Sequence, residues 1–123
     1  MGTWGPGIFD NDLAADIRGD WESALADGKT FDQALKGIAD AYLTDAATME
    51  EEPNFWFAVA LLELDARGTV NDYSRDVSLD LVPHDLARWR DEGDAESYAA
   101  REKVVNDLAE RLRSAKITRY PLD

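Results

Sequence analysis

The chain of 123 residues has no cysteine and a single histidine. The first absence excludes disulfides, thiolate metal sites and cysteine nucleophiles, and leaves the redox compartment open. The second excludes a histidine-rich metal centre. Long apolar runs are missing too. The longest, FWFAVALL at residues 55–62 with Leu64 beyond it, falls far short of the ~20 residues needed to cross a bilayer. No charged n-region, apolar h-region and cleavage site open the chain, so secretion by that route is not expected. Gly2 after Met1 superficially resembles a myristoylation signal, but Pro6 stands where serine or threonine is needed. A cytoplasmic location is the expectation.

Positive charge is also scarce: 13 Lys and Arg against 26 Asp and Glu give a net charge of −13. Residues 1–66 hold 14 acids and 3 bases, residues 67–123 hold 12 acids and 10 bases. A partner met through the first half should therefore be basic, and the field there repels phosphate. Nucleic acid is not an expected ligand, because affinity for it comes largely from neutralising phosphates. No membrane partner is implied. Solubility alone is the plainer explanation of such acidity.

What the sequence does have is enough apolar and aromatic content to fold as one domain, residues 1–123, around a single core. Apolar spacing is helical almost throughout. A first helix from about Asp12 to Ala26 carries Leu13, Ile17, Trp21 and Leu25 as its core stripe, with Asp10 or Asn11 as N-cap. Thr30 and Gln33 form a capping box for a second helix ending near Ala46. Glu50 to Pro53 mark the start of a third, whose FWFAVALL run is apolar on every side and so belongs at the centre. Glu63, just past that run, is the acid expected to be partly buried and to need a partner.

Residues 70–82 fit strand and helix spacing alike. A lone strand has nothing evident to pair with, so a short helix is expected there. Pro83 should start another short helix, closed by Gly93, and Asp94 should cap a last helix from about Ala95 to Lys116. Its inner face should carry Tyr98, Val105, Leu108 and Leu112, and its outer face the pairs Asp107–Arg111 and Glu110–Arg113. The tail, residues 117–123, either packs or frays. The expected fold is all-α, a compact bundle of four or five helices with an ordered N-terminal arm, residues 1–11, laid across it. In that arm Phe9 should staple the chain into the first helix, with Ile8 and Trp4 extending the contact.

The opening MG-x-WG-x-G-x-FDND with Asp16, the pair Phe55–Trp56 and the segment DLARW at residues 85–89 resemble a bacterial family known as domain of unknown function 4259. The resemblance runs from residue 1 to about 112. It implies a small, mainly helical protein and a helix at residues 71–81, and it supplies no activity, substrate or cofactor.

Asp12, Asp16 and Asp20 stack at i, i+4 and i+8 on the first helix, with Asp10 just before them. Like charges at that spacing destabilise a helix by a few tenths of a kcal/mol per pair. Arginines of the basic half, a divalent cation on oxygen ligands or a cationic partner would offset them. Three carboxylates one turn apart on a straight helix converge poorly on one ion. A phosphate cradle in GPGIFDND is disfavoured, since no strand precedes it, Pro6 removes an amide, and Asp10 and Asp12 stand where the anion would be. His84 has no motif-matched nucleophile and reads as a surface or capping residue. The tryptophans read as core, except Trp4, which precedes any helix.

The leading expectation is thus a non-catalytic interaction protein, immunity- or antitoxin-like, that binds a basic partner through Trp4, Asp10, Asp12, Asp16 and Asp20. The alternative is a divalent-metal-binding protein or metal-dependent enzyme using Asp12, Asp16 and Asp20 with Asn11 and Glu63. Homo-oligomerisation through the Trp4 arm is a third. Beyond that metal, no cofactor is implied.

Overall fold

Asn11 ends the arm and starts the first helix. Its Oδ1 accepts from the Ala14 amide at 2.8 Å while its Nδ2 donates back to the Ile8 carbonyl at 3.2 Å, so one buried side chain fixes both the helix start and the approach to it. The computed structural model describes residues 5–48 and 50–118. Among these, five helices run in order: α1 (Asp12–Ala26), α2 (Phe31–Thr48), α3 (Glu52–Arg67), α4 (Asp72–Glu92) and α5 (Ala95–Ser114). The expected capping box opens α2, with Thr30 N donating to Gln33 Oε1 at 2.9 Å and Gln33 N to Thr30 Oγ1 at 3.1 Å. Pro53 lies in the first turn of α3, and Gly68 ends that helix at φ 70°, a conformation an L side chain adopts only with strain. Asp94 caps α5 by accepting from the Ser97 amide at 2.7 Å.

The FWFAVALL helix is the centre of an all-α bundle, as its composition requires. One core cluster joins it through Phe55, Val59 and Leu62 to Ile17 and Trp21 of α1 and Ile38 of α2. The other joins it through Phe57, Ala60 and Leu64 to Val105, Leu108 and Leu112 of α5. α1 packs on α2 and α3, and α4 packs on α3 and α5. The molecule therefore has two helical pairs with α3 between them, and each fully buried phenylalanine of α3 is worth about 1.5–3 kcal/mol of transfer free energy. Phe9 packs against both clusters from the arm, as a staple should.

The helix expected over residues 70–82 is present from Asp72 onward, as part of α4. Two expectations are corrected. Residues 69–71 are a strand, β1 (Thr69–Asn71), because they do have a partner: the tail supplies β2 (Lys116–Thr118), paired in parallel with Val70 opposite Ile117. That long-range pairing leaves no local signature in residues 69–71. Pro83 does not begin a helix but lies inside α4, which is continuous over 21 residues. Pro83 faces solvent, so the carbonyl that loses its amide partner there can turn to water. On α5 the surface pairs also differ. Asp107 pairs with Lys103 and Arg111 with Asp65 of α3. No helix of the described residues is long and apolar enough to cross a membrane.

Candidate functional site

The aspartates of α1 are exposed at Asp12, Asp16 and Asp20. Asp20 accepts a 2.5 Å hydrogen bond from the Tyr42 hydroxyl of α2. That bond, with burial and the Asp20 and Asp16 charges, pushes the Tyr42 hydroxyl up to about 12, because each cause favours the neutral phenol. Asp10 is placed differently. Its Oδ2 accepts from the Gly7 amide at 3.0 Å and closes the arm turn. A Cβ on Gly7 would stand 2.7 Å from that oxygen, so the turn has room only for glycine unless the carboxylate moves. The sequence's own carboxylate thus occupies the amide that an anion cradle would present. Trp4 lies outside the described residues.

Seven basic side chains of the second half are paired elsewhere. Arg67 pairs with Glu63, Arg75 with Asp76, Arg88 with Glu92, Arg90 with Asp91, Arg101 with Asp85, Lys103 with Asp107 and Arg111 with Asp65. All these acids belong to α3, α4 or α5. Among the described residues no cation of those helices reaches Asp16 or Asp20, and α3 stands between the two groups. No three acidic or histidine side chains of the described residues are grouped as a metal ion would need.

Arg101 is the residue that the sequence reading passed over. It is 1 % exposed. Its Nε and Nη2 donate to the two oxygens of Asp85 at 2.8 and 2.9 Å, and its Nη1 donates to the Pro6 carbonyl at 3.0 Å. The guanidinium also lies 5.1 Å from the Trp89 ring centre. The arm is therefore held by α5 through one cation. Beside it opens a cleft of about 670 Å³, walled by Glu51, Glu52, His84, Arg88, Trp89 and Glu92. His84 is exposed there on the body of α4, not at a helix start.

The family model for the domain of unknown function DUF4259 matches residues 2–118. The chain belongs to this family. No curated protein and no solved structure matches it. The DUF4259 match takes in the arm from Gly2, the Phe55–Trp56 pair on α3 and the DLARW segment within α4. It runs past the point where the motifs end, to the last residue of β2.

Glu63 of this DUF4259 chain is fully buried, more completely than its position suggested. Its Oε1 accepts from the Asn71 amide at 3.0 Å and from Arg67 at 3.3 Å, while Oε2 has no hydrogen-bond partner. Burial pushes its carboxyl above the ordinary value, against the pull of the Asn71 amide and the Arg67 charge. A second, smaller pocket of about 100 Å³ lies between α2, α3 and the start of α4. Phe55, Trp56 and Tyr73 form an edge-to-face stair beside it, with ring centres 4.9 and 5.3 Å apart. Helical spacing placed Trp56 on the core. What it did not reveal is that a residue of the next helix, Tyr73, would complete a pocket with it.

Proposed function

We propose that this DUF4259 chain is a non-catalytic, cytoplasmic interaction module that binds a basic protein through Asp12, Asp16 and Asp20 of α1. An immunity- or antitoxin-type neutraliser of a basic bacterial effector fits that description. One observation supports the reading: seven cations of α3–α5 are paired with acids of those same helices, and none of these pairs reaches Asp16 or Asp20 of α1. A helix surface with stacked like charges pays a few tenths of a kcal/mol per pair, and a cationic partner would relieve it while gaining association rate from the field.

The test is co-purification from the native cell at low salt with the triple variant Asp12→Asn, Asp16→Asn and Asp20→Asn, its helicity checked by circular dichroism. A basic protein should be retained by the parent chain, released as salt rises, and lost at least tenfold by the variant. If every retained protein stays at the same level with the variant, the reading fails.

A further inference from the structure

The 100 Å³ pocket is lined by Leu35 and Ala39 of α2, Phe55, Trp56 and Val59 of α3 and Tyr73 of α4. Tyr73 is 60 % exposed, the only large hydrophobic side chain so placed among the described residues. An apolar cavity of roughly 150 Å³ accepts a benzene ring, so this smaller one fits a single aliphatic side chain. Trp and Tyr walls around such a slot are the usual make-up of an interface hot spot.

Charge indicates what kind of partner would bring that side chain. Asp32, Leu35, Ala39 and Tyr42 fall at i, i+3, i+7 and i+10 along one stripe of α2. The pocket's α2 wall is thus flanked on one side by Asp32 and on the other by Tyr42, which holds Asp20. Ten residues of helix set these two ends about 15 Å apart. Neither carboxylate is ion-paired with a cation of the described residues, and Asp32 Oδ1 is buried without a hydrogen-bond partner. An extended segment with a cation two residues to either side of its anchor spans about 13 Å from cation to cation.

We propose that this pocket anchors the interface described above, seating one aliphatic side chain of the basic partner between two Lys or Arg residues directed at Asp32 and Asp20. The proposal rests on the acidic-face reading but adds a separate contact with its own test. End-capped RSLSR and RSASR peptides are titrated into the full isotope-labelled chain at low salt and followed by nuclear magnetic resonance. RSLSR should bind at least ten times more tightly than RSASR and shift the Trp56 indole and the Tyr73 ring. Ala39→Met, which fills the slot, and Tyr73→Ala, which opens its exposed wall, should each reduce that preference to less than threefold. Asp20→Asn with Asp32→Asn should weaken both peptides by a similar factor.

Equal affinity for the two peptides, binding of neither, or shifts confined to α1 overturns the pocket. Unchanged affinities in the Asp20 and Asp32 variant overturn it as well. The two readings fail separately. Loss of the partner in the triple aspartate variant alongside equal peptide affinities removes the pocket alone. A persisting leucine preference alongside unchanged co-purification supports the pocket and removes the α1 reading.

Discussion

At Arg101 one side chain joins the arm, α4 and α5. Its fork matches the Asp85 carboxylate with two bonds, and the remaining nitrogen holds the Pro6 carbonyl. Two-point pairing of this kind is strong but offsets a large desolvation cost, so removing one partner is worse than removing both. Arg101→Met should cost about 3–5 kcal/mol by urea unfolding, and Arg101→Met combined with Asp85→Leu should recover most of that. A double variant as unstable as the single one would show that the arm contact, not the pair, dominates. The position was legible: Arg101 is three residues after Tyr98 and four before Val105, squarely on the stripe read as inner. What hid it is that arginine is rarely buried unless paired, and its pair lies sixteen residues away on another helix. Glu63 gives a second residue-level test. Its folded-state carboxyl is raised above the ordinary 4.5 by burial, so the folded chain holds that proton more tightly than the unfolded one. The stabilisation this provides is complete below the unfolded value and is lost as pH rises through the folded value. Glu63→Gln has no such proton. The stability of the parent relative to this variant should therefore decrease as urea midpoints are compared from about pH 4 to about pH 7; a pH-independent difference would contradict it.

Among the elements, α4 departs furthest from what its sequence suggests. Two signals there, the alternation of residues 77, 79 and 81 and the proline at 83, argue for a strand and a fresh helix start. The structure answers both with one helix, capped by Asn71, whose Oδ1 accepts from the Tyr73 and Ser74 amides at 2.8 and 3.3 Å. Burial on both sides explains the alternation's irrelevance. Ser78 and Asp85 turn inward on α4 while Leu79, Leu81, Val82 and Leu86 are only half-covered, so the apolar pattern never separates into one clean stripe. The real strand is next door and depends on β2, over forty residues later. Caps, by contrast, were readable because they are local: Asn11, the Thr30–Gln33 box and Asp94 all sit where side-chain chemistry placed them. Pro83 remains a cost inside α4. Replacing it with alanine restores an amide to the helix at an exposed site, which outweighs the lost rigidity of the unfolded chain, worth about 0.4–1 kcal/mol. Pro83→Ala should stabilise the chain by about 1–2 kcal/mol in urea unfolding. A loss of stability would mean that the proline fixes a bend that α3 or α5 requires.

At the scale of the molecule, α3 separates two electrostatic regimes. Residues 10–48 carry nine acids and three bases, and one exposed pair, Lys36 with Asp40, lies on that side. The α4–α5 side is laced with pairs, several of them exposed. Salt acts on the two sides in opposite directions, weakening attraction in one and repulsion in the other. Exposed pairs are worth about 0–1 kcal/mol each, with many contributing nothing measurable, whereas a net charge of −13 repels over the whole surface. Repulsion should win. Raising sodium chloride from about 0.01 M to 0.15 M shortens the screening length from about 30 Å to about 8 Å, and the melting temperature should rise. Asp16→Asn with Asp20→Asn removes two charges that no cation of α3–α5 offsets, so that variant should gain less from the same salt. If parent and variant gain equally, the α1 carboxylates are not a centre of the repulsion. A basic partner would then gain no energy from relieving them.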